Sequence, residues 1–323
     1  MRALVCSRLD GLDALEVGDL PAPELGPGQI RVGVAAAGVN FPDLLIIRGL
    51  YQDQPPLPFA PGMEVAGTVR EVADDVTGFA PGDLVTGFVG HGGYAEEVVA
   101  PAARFSPIPA GTAVEEAAAF PIVFGTSYHA LVDRAALQAG ETLLVLGAAG
   151  GVGLAAVQIG AALGARVLAA VSSDAKEKAA RAAGAGEVVR YDRTDLRSTV
   201  REMAPSGVDV VYDPVGGEIT QLAFRSLAWK GRHLVIGFAA GEIPALPVNL
   251  ALLKGASLVG TFWGRFTEEE PERSRRNFVT LLEWWTQGRI RPIVSEVFPL
   301  DRATEALRKI GDRGAVGKLV VRP

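Results

Sequence analysis

Between residues 123 and 263 short apolar runs alternate with glycine-bearing turns and alanine-rich helical stretches, a rhythm that few folds accept. The runs lie at 142–146, 166–171, 187–190, 208–213 and 232–237, with another at 257–262. Each is nearly continuous in apolar character, as a strand buried on both faces must be, and the helical stretches between them supply the crossovers that parallel strands require. An α/β architecture with a doubly wound parallel sheet is therefore expected over 123–263. Residues 1–122 behave differently. Short alternating strands at 30–36, 64–72, 83–89 and 94–99 are punctuated by Pro27-Gly28, Pro61-Gly62 and Pro81-Gly82, which predicts a β-rich, barrel-like unit. After 263, a helical pattern at 268–287 carries Phe278, Leu281, Leu282 and Trp285 on one side, and short strands follow with a helix near 304–310. Residues 264–323 are expected to rejoin the first unit.

Composition narrows the function. The 323 residues carry 31 basic and 37 acidic side chains for a net charge of −6, interspersed without a basic stripe, so nucleic acid is not an expected partner. Cys6 is the single cysteine and cannot form an internal disulfide. The opening residues lack a signal-peptide pattern, so the cytoplasm is the expected location. No apolar run approaches the roughly 20 residues that a bilayer crossing needs, so no membrane span is expected.

The segment 143–153, Leu-Leu-Val-Leu-Gly-Ala-Ala-Gly-Gly-Val-Gly, leads straight into a helical pattern. Gly150 and Gly153 take the second and third places of the G-x-G-x-x-G dinucleotide pattern, and Ala148 stands where its first glycine would be. A bare backbone here would let a diphosphate approach Gly150, Gly151 and Val152, and the helix start would supply N–H donors and positive dipole. The other reading is a glycine turn that only packs helix on strand. At the end of the second strand stand Ser172, Ser173, Asp174 and Lys176. Small donors plus a cation suit a 2′-phosphate, which favours NADPH over NADH. Asp174 points the other way unless it caps the following helix.

The turn GAAGGVG, together with GVNFPDLLIIRGLY, PGMEVAG, VYDPVGG and GKLVV along the whole chain, resembles the zinc-independent quinone oxidoreductases. These form the zeta-crystallin-like branch of the medium-chain dehydrogenase/reductase superfamily. The resemblance implies a GroES-like substrate domain, a Rossmann cofactor domain inserted before the C-terminal return, and a cleft between them. Zinc-dependent relatives place a cysteine where this chain has Asn40 and a histidine where it has Met63, just before Glu64, and they carry a four-cysteine lobe that is absent here. One cysteine and three histidines, His91, His129 and His233, with no histidine pair at i, i+4, agree with no metal site. His129 and His233 read as structural.

The chemistry implied is NADPH-dependent reduction of a quinone or an activated enone, which needs no Lewis acid. Asn40, Asp43 and Tyr51 are the candidates for the polar side of the substrate pocket. By resemblance Asn40 lies near the nicotinamide ribose, and Tyr51 matches the tyrosine acid of enoyl-thioester reductases; its other reading is a rim aromatic. Asp43 is either a pocket group or a buried partner for Asn40 or Arg48. Thr126 is expected at the start of the helix that bridges the domains, near the nicotinamide or as a cap, and Tyr191 near the 2′-phosphate or as a strand-end aromatic. Phe238 and Lys318 are expected to close over the nicotinamide and phosphates, or to be a turn residue and a surface lysine. Glu64 is left to hold a backbone turn. Two other functions stay open: an enoyl-CoA reductase of the same superfamily, and a cofactor-binding structural or RNA-binding protein of the crystallin kind. The apolar 257–262 strand at an open sheet edge is expected to pair in a homodimer.

Overall fold

The computed structural model describes residues 1–109 and 111–323, and the chain divides into two units, Met1–Ile122 with Pro292–Pro323, and Val123–Arg291. In the first, the eleven-residue strand Gln29–Val39 is the hub. It pairs along its length with Glu64–Val72, at residues 29–33 with Glu97–Pro101, and at 37–39 with Lys318–Arg322, all antiparallel. One strand meets three others because it bends, and its ladder slips in register between Val34 and Ala36. Ile30, Val32 and Ala36 face the core, fully buried. The last strand thus lies inside the sheet, between Gln29–Val39 and the parallel strand Val294–Pro299. Next to the hub, Phe41–Ile46 forms a six-residue helix that the sequence reading did not anticipate.

In the second unit six parallel strands run in the order Glu187–Arg190, Arg166–Val171, Thr142–Val145, Val208–Asp213, Leu227–Val235, Ser257–Gly260. Numbered along the chain this is 3-2-1-4-5-6, with the strand order reversing between Thr142–Val145 and Val208–Asp213. Leu144, Leu168, Val189, Val211 and Phe224 are completely buried in its core, each contributing about 1.5–3 kcal/mol by leaving water.

The structure moves the second domain boundary. Residues 264–291 belong with the parallel-sheet unit and not with the C-terminal return. They form two helices, Trp263–Glu269 and Pro271–Thr286, because Pro271 cannot continue a helix begun before it. Both dock on the segment 125–133. The Trp263 ring lies where a side chain at Gly125 would sit, Phe266 stacks on His129 at 3.9 Å, and Tyr128 meets Trp284 edge-on. Asp133 ties the group together, accepting from His129 Nδ1 (2.9 Å) and Asn277 Nδ2 (2.7 Å) and pairing with Arg273 (2.8 Å). Asp133→Ala strands these donors in a largely buried place, and a loss of about 3 kcal/mol in unfolding free energy is expected. Urea titration measures it; a loss under about 1 kcal/mol would mean the helices are held by apolar packing alone.

Candidate functional site

The order reversal in the parallel sheet places two turns side by side at the carboxyl ends of neighbouring strands, where open α/β sheets bind ligands. The first turn leaves Thr142–Val145 through Gly147, whose φ of +56° suits glycine, and ends at Gly150, the N-cap of helix Gly151–Ala162. A Cβ on Gly153 would lie 2.2 Å from the Gly147 carbonyl oxygen, so helix and strand approach this closely only with glycine there. A Cβ on Gly150 would meet only the Gly147 oxygen, at 3.5 Å, which leaves its outer side open to an incoming group. Leu154 donates the first intrahelical bond, to Gly150 O at 2.8 Å, so the N–H groups of Gly151, Val152 and Gly153 have no intrahelical acceptor. These donors suit a diphosphate. The helix opens at Gly151.

The second turn follows Asp213. Its Oδ1 accepts from Val215 N and Gly216 N at 2.9 and 3.0 Å, and its Oδ2 accepts from Thr220 Oγ1 (2.6 Å) and His233 Nε2 (3.0 Å). Burial alone would raise the Asp213 carboxyl, but the His233, Thr220 and Gly216 donors outweigh it and hold the group below the usual range. His233 is thus a structural partner. Gly147 and Val215 bring the two turns into contact, and Phe238 packs beside Gly216, so Phe238 lies at the switch point. Ser127 supports the first turn from behind: its Oγ lies 3.0 Å from Val152 O and 2.9 Å from Tyr212 Oη. Sequence reading missed both groups. Thr126 stands sixth in helix Pro121–Tyr128, half-buried, so it neither begins nor caps that helix.

At the end of the second strand, Ser173 and not Asp174 is the N-cap of helix Asp174–Ala182, accepting from Lys176 N at 3.3 Å. Lys176 Nζ donates to Ser172 Oγ at 3.2 Å, which gathers the three candidates in one place. Asp174 lies between Arg190 and Arg193, which hold its carboxyl below the usual range; Arg190 also pairs with Glu177 and Asp192. Tyr191 follows on the adjacent strand end, its N–H bonded to Val171 O at 3.2 Å and its ring against the apolar core.

In the β-rich unit, Asn40, Asp43, Glu64, Tyr94 and Lys318 form a buried polar network. Asp43 returns its carboxylate to Asn40 N–H at 2.8 Å within a capping box. Tyr94 Oη donates to the same Asp43 oxygen at 2.7 Å, and the other oxygen, Oδ1, is buried without a partner. Asp43 is completely buried, so the structure corrects its reading as a pocket group: it is the buried partner of Asn40 and Tyr94, and it does not pair with Arg48. Lys318 is corrected as well. It is 3% exposed, and its three N–H groups go to Val39 O, Asn40 Oδ1 and Glu64 Oε1, each at 2.7 Å, leaving none for a phosphate. Glu64 also accepts from Asn40 Nδ2 (2.9 Å) and, through Oε2, from Ile122 N (2.8 Å), so it holds the start of the next helix. Gly38 makes the room, since a Cβ there would lie 2.3 Å from Glu64 Oε1. Tyr51 is half-exposed in the loop after helix Phe41–Ile46, and Gln54 Nε2 pins that loop to Ile46 O at 3.0 Å.

Among the described residues no group of three or more His, Cys, Asp or Glu side chains could hold a metal ion. At Glu64 the donor set does not fit one, because the ammonium of Lys318 already fills the space among its oxygens. No helix among the described residues is long and apolar enough to cross a membrane.

Burial raises the Asp43 carboxyl to about 6, against the Tyr94 and Asn40 donors that pull it down. A carboxyl raised on folding favours the protonated form. Its contribution to stability is therefore complete below the unfolded value of 3.8 and is lost as pH climbs through about 6. A shift of about two pH units corresponds to about 3 kcal/mol. Asp43→Asn, uncharged throughout, is expected to gain about that much stability relative to wild type between about pH 4 and pH 8. Urea unfolding across that range checks it, and parallel pH profiles for the two proteins would refute it.

Comparison with known proteins matches both units. Residues 26–110 match the alcohol dehydrogenase GroES-like domain, and 151–280 match the zinc-binding dehydrogenase family. Bovine (Bos taurus) quinone oxidoreductase-like protein 2 is 39% identical over 99% of this chain and 92% of its own. The quinone oxidoreductase of Thermus thermophilus, solved also in complex with NADPH, shares 37% identity with a TM-score of 0.86, over the full length of both chains. A structure described as an NAD-dependent alcohol dehydrogenase shares 32% with a TM-score of 0.91, again over the full length of both. A GroES-like unit joined to a Rossmann-like parallel sheet, in an oxidoreductase with a nicotinamide cofactor, is the common framework. The chain belongs to the zeta-crystallin-like, quinone oxidoreductase branch of the medium-chain dehydrogenase/reductase superfamily.

Proposed function

We propose that the chain reduces quinones or other activated enones with NADPH and without a metal ion. The observation that carries this reading is the glycine-rich turn at the strand-order reversal, in a chain that aligns over its length with quinone oxidoreductases. The turn 147–153 receives the diphosphate on the N–H groups of Gly151, Val152 and Gly153. Ser172, Ser173 and Lys176 receive the 2′-phosphate. The sequence argument against NADPH is Asp174, and that carboxylate is already engaged by Arg190 and Arg193. Bound there, the nicotinamide supplies a hydride. Lys318 fills the space among the oxygens around Glu64, which supports chemistry without a Lewis acid. Tyr51, a neutral phenol, donates a hydrogen bond or a proton to the acceptor as negative charge develops on it, adding no charge to an apolar site.

Stopped-flow assays with NADPH and NADH against benzoquinones and crotonyl-CoA test the reading. Quinone turnover with NADPH, unchanged by chelators, is expected. Lys176→Ala should raise the KM for NADPH about tenfold or more while leaving that for NADH in place, since one charged contact is worth about 1.4 kcal/mol or more. Equal effects on the two coenzymes would overturn the 2′-phosphate assignment. Faster turnover of crotonyl-CoA, lost in Tyr51→Phe, would replace the quinone reading with an enoyl-thioester reductase.

We also propose a homodimer through Ser257–Gly260. This strand pairs only with Leu227–Val235 among the described residues and carries an exposed Leu258, and nearby Leu252 and Leu253 are exposed as well. Such an edge invites a second strand. Sedimentation at micromolar concentration should show a dimer that Leu258→Lys dissociates; a monomeric wild type would remove the proposal.

A further inference from the structure

We propose that Arg190, seconded by Arg193, is a positioning residue that decides coenzyme choice through Asp174: by engaging that carboxylate it turns a place suited to free ribose hydroxyls into one that admits a phosphate. The proposal rests on the nucleotide reading above and goes beyond it, because it assigns the choice to residues that need not touch the ligand.

Asp174 is the obstacle. It follows Ser173 directly and its side chain is 78% exposed. A free carboxylate at this end of a dinucleotide fold accepts from ribose hydroxyls and repels a 2′-phosphate. Arg190 reaches it from the neighbouring strand. It closes the edge strand Glu187–Arg190, which runs parallel to Arg166–Val171 and sets Arg190 opposite Val171, the residue before Ser172. Arg190 Nη1 donates to Asp174 Oδ1, and Arg193 Nη2 lies 3.0 and 3.1 Å from Oδ1 and Oδ2. Both oxygens are thus engaged by cations.

The other partners of Arg190 fix its aim. Its Nε and Nη2 form a fork on Asp192 at 2.9 Å each, and Nη1 also meets Glu177 Oε2 at 3.3 Å. These bonds occupy nearly all the N–H groups of a guanidinium, so Arg190 has little left with which to bind a phosphate itself. Its side chain is 11% exposed and held in one place, while Asp174 stands in solvent. Exposed ion pairs contribute little to stability. What this one changes is the local charge. Without Arg190, Asp174, Glu177 and Asp192 would each lose a cation close to Lys176, the proposed phosphate donor.

Calorimetry with two fragments that carry no nicotinamide, ADP-ribose and 2′-phospho-ADP-ribose, tests this at low ionic strength, where such charges are least screened. Arg190→Gln is expected to weaken the phosphorylated fragment and tighten the plain one, moving the ratio of their affinities about tenfold or more. Arg193→Gln, at an exposed position, should move the ratio the same way by a smaller factor. Adding Asp174→Asn to Arg190→Gln should bring the ratio back near its wild-type value, because the carboxylate that needed masking is gone. A loss of structure alone would weaken both fragments alike and would not be repaired by Asp174→Asn. Equal effects on the two fragments in both arginine variants, or a double variant no better than Arg190→Gln, overturns the proposal. Lys176→Ala separates this from the earlier reading. If it leaves the ratio unchanged, the placement of the phosphate at Lys176 fails, and the masking of Asp174 is still decided by whether Arg190→Gln tightens ADP-ribose.

Discussion

One ammonium group holds the β-rich unit's polar interior together. Lys318 comes from the last strand, Asn40 from the end of the hub strand, Glu64 from the strand beside it, and Ile122 from the close of the unit's first segment. Four stretches far apart in the chain meet around a charge pair with almost no exposure. Taking either partner away leaves a charge buried and alone, which proteins tolerate badly. The knot therefore demands the strand order seen, with Lys318–Arg322 inside the sheet, and it demands glycine at position 38 to admit the Glu64 carboxylate. The chain gathers these oxygens about its own lysine.

The parallel-sheet unit solves a different problem with backbone. Its turns carry hardly any side chain where the diphosphate is proposed to lie, and the shape comes from glycines that admit the helix against the strand. What side chains do is brace those turns. Asp213 gathers four donors to fold the second turn, and Ser127 with Tyr212 supports Val152 from behind. A site built of main-chain N–H groups is rigid only if something else sets its backbone, and these buried groups do so.

Much of this was legible in the residues. Strands 64–72, 166–171, 187–190 and 208–213 carry their own boundaries in apolar runs that stop at glycine, proline or charge, and the glycine turn declares itself by its flanks. What escaped was nonlocal. From its local sequence Lys318 reads as a group that closes over the cofactor or as a surface lysine; only pairing with Gln29–Val39 and Val294–Pro299 puts it inside. Tyr94 carries no local signal for Asp43. Helix Phe41–Ile46 did leave a trace, since Asn40 followed three residues later by Asp43 with Pro42 between them is a helix-start pattern, and it would have placed Asp43 in a cap and not in a pocket. Chain direction alone assigns helix Pro271–Thr286 to the C-terminal return, whereas its real place follows from Asp133, a buried carboxylate whose partner Asn277 lies 144 residues on.

The two corrected residues bear on the chemistry together. With Asp43 sealed behind Tyr94, and Lys318 with no donor to offer, neither is available to donate to a substrate. Of the polar candidates first named in this unit, Tyr51 alone belongs to a loop and not to the knot. Reduction of an enone needs a donor where the electrons arrive and an acceptor that keeps the reductant aligned. Under the proposed function the donor is the half-exposed loop tyrosine, while the buried knot serves the fold of its unit.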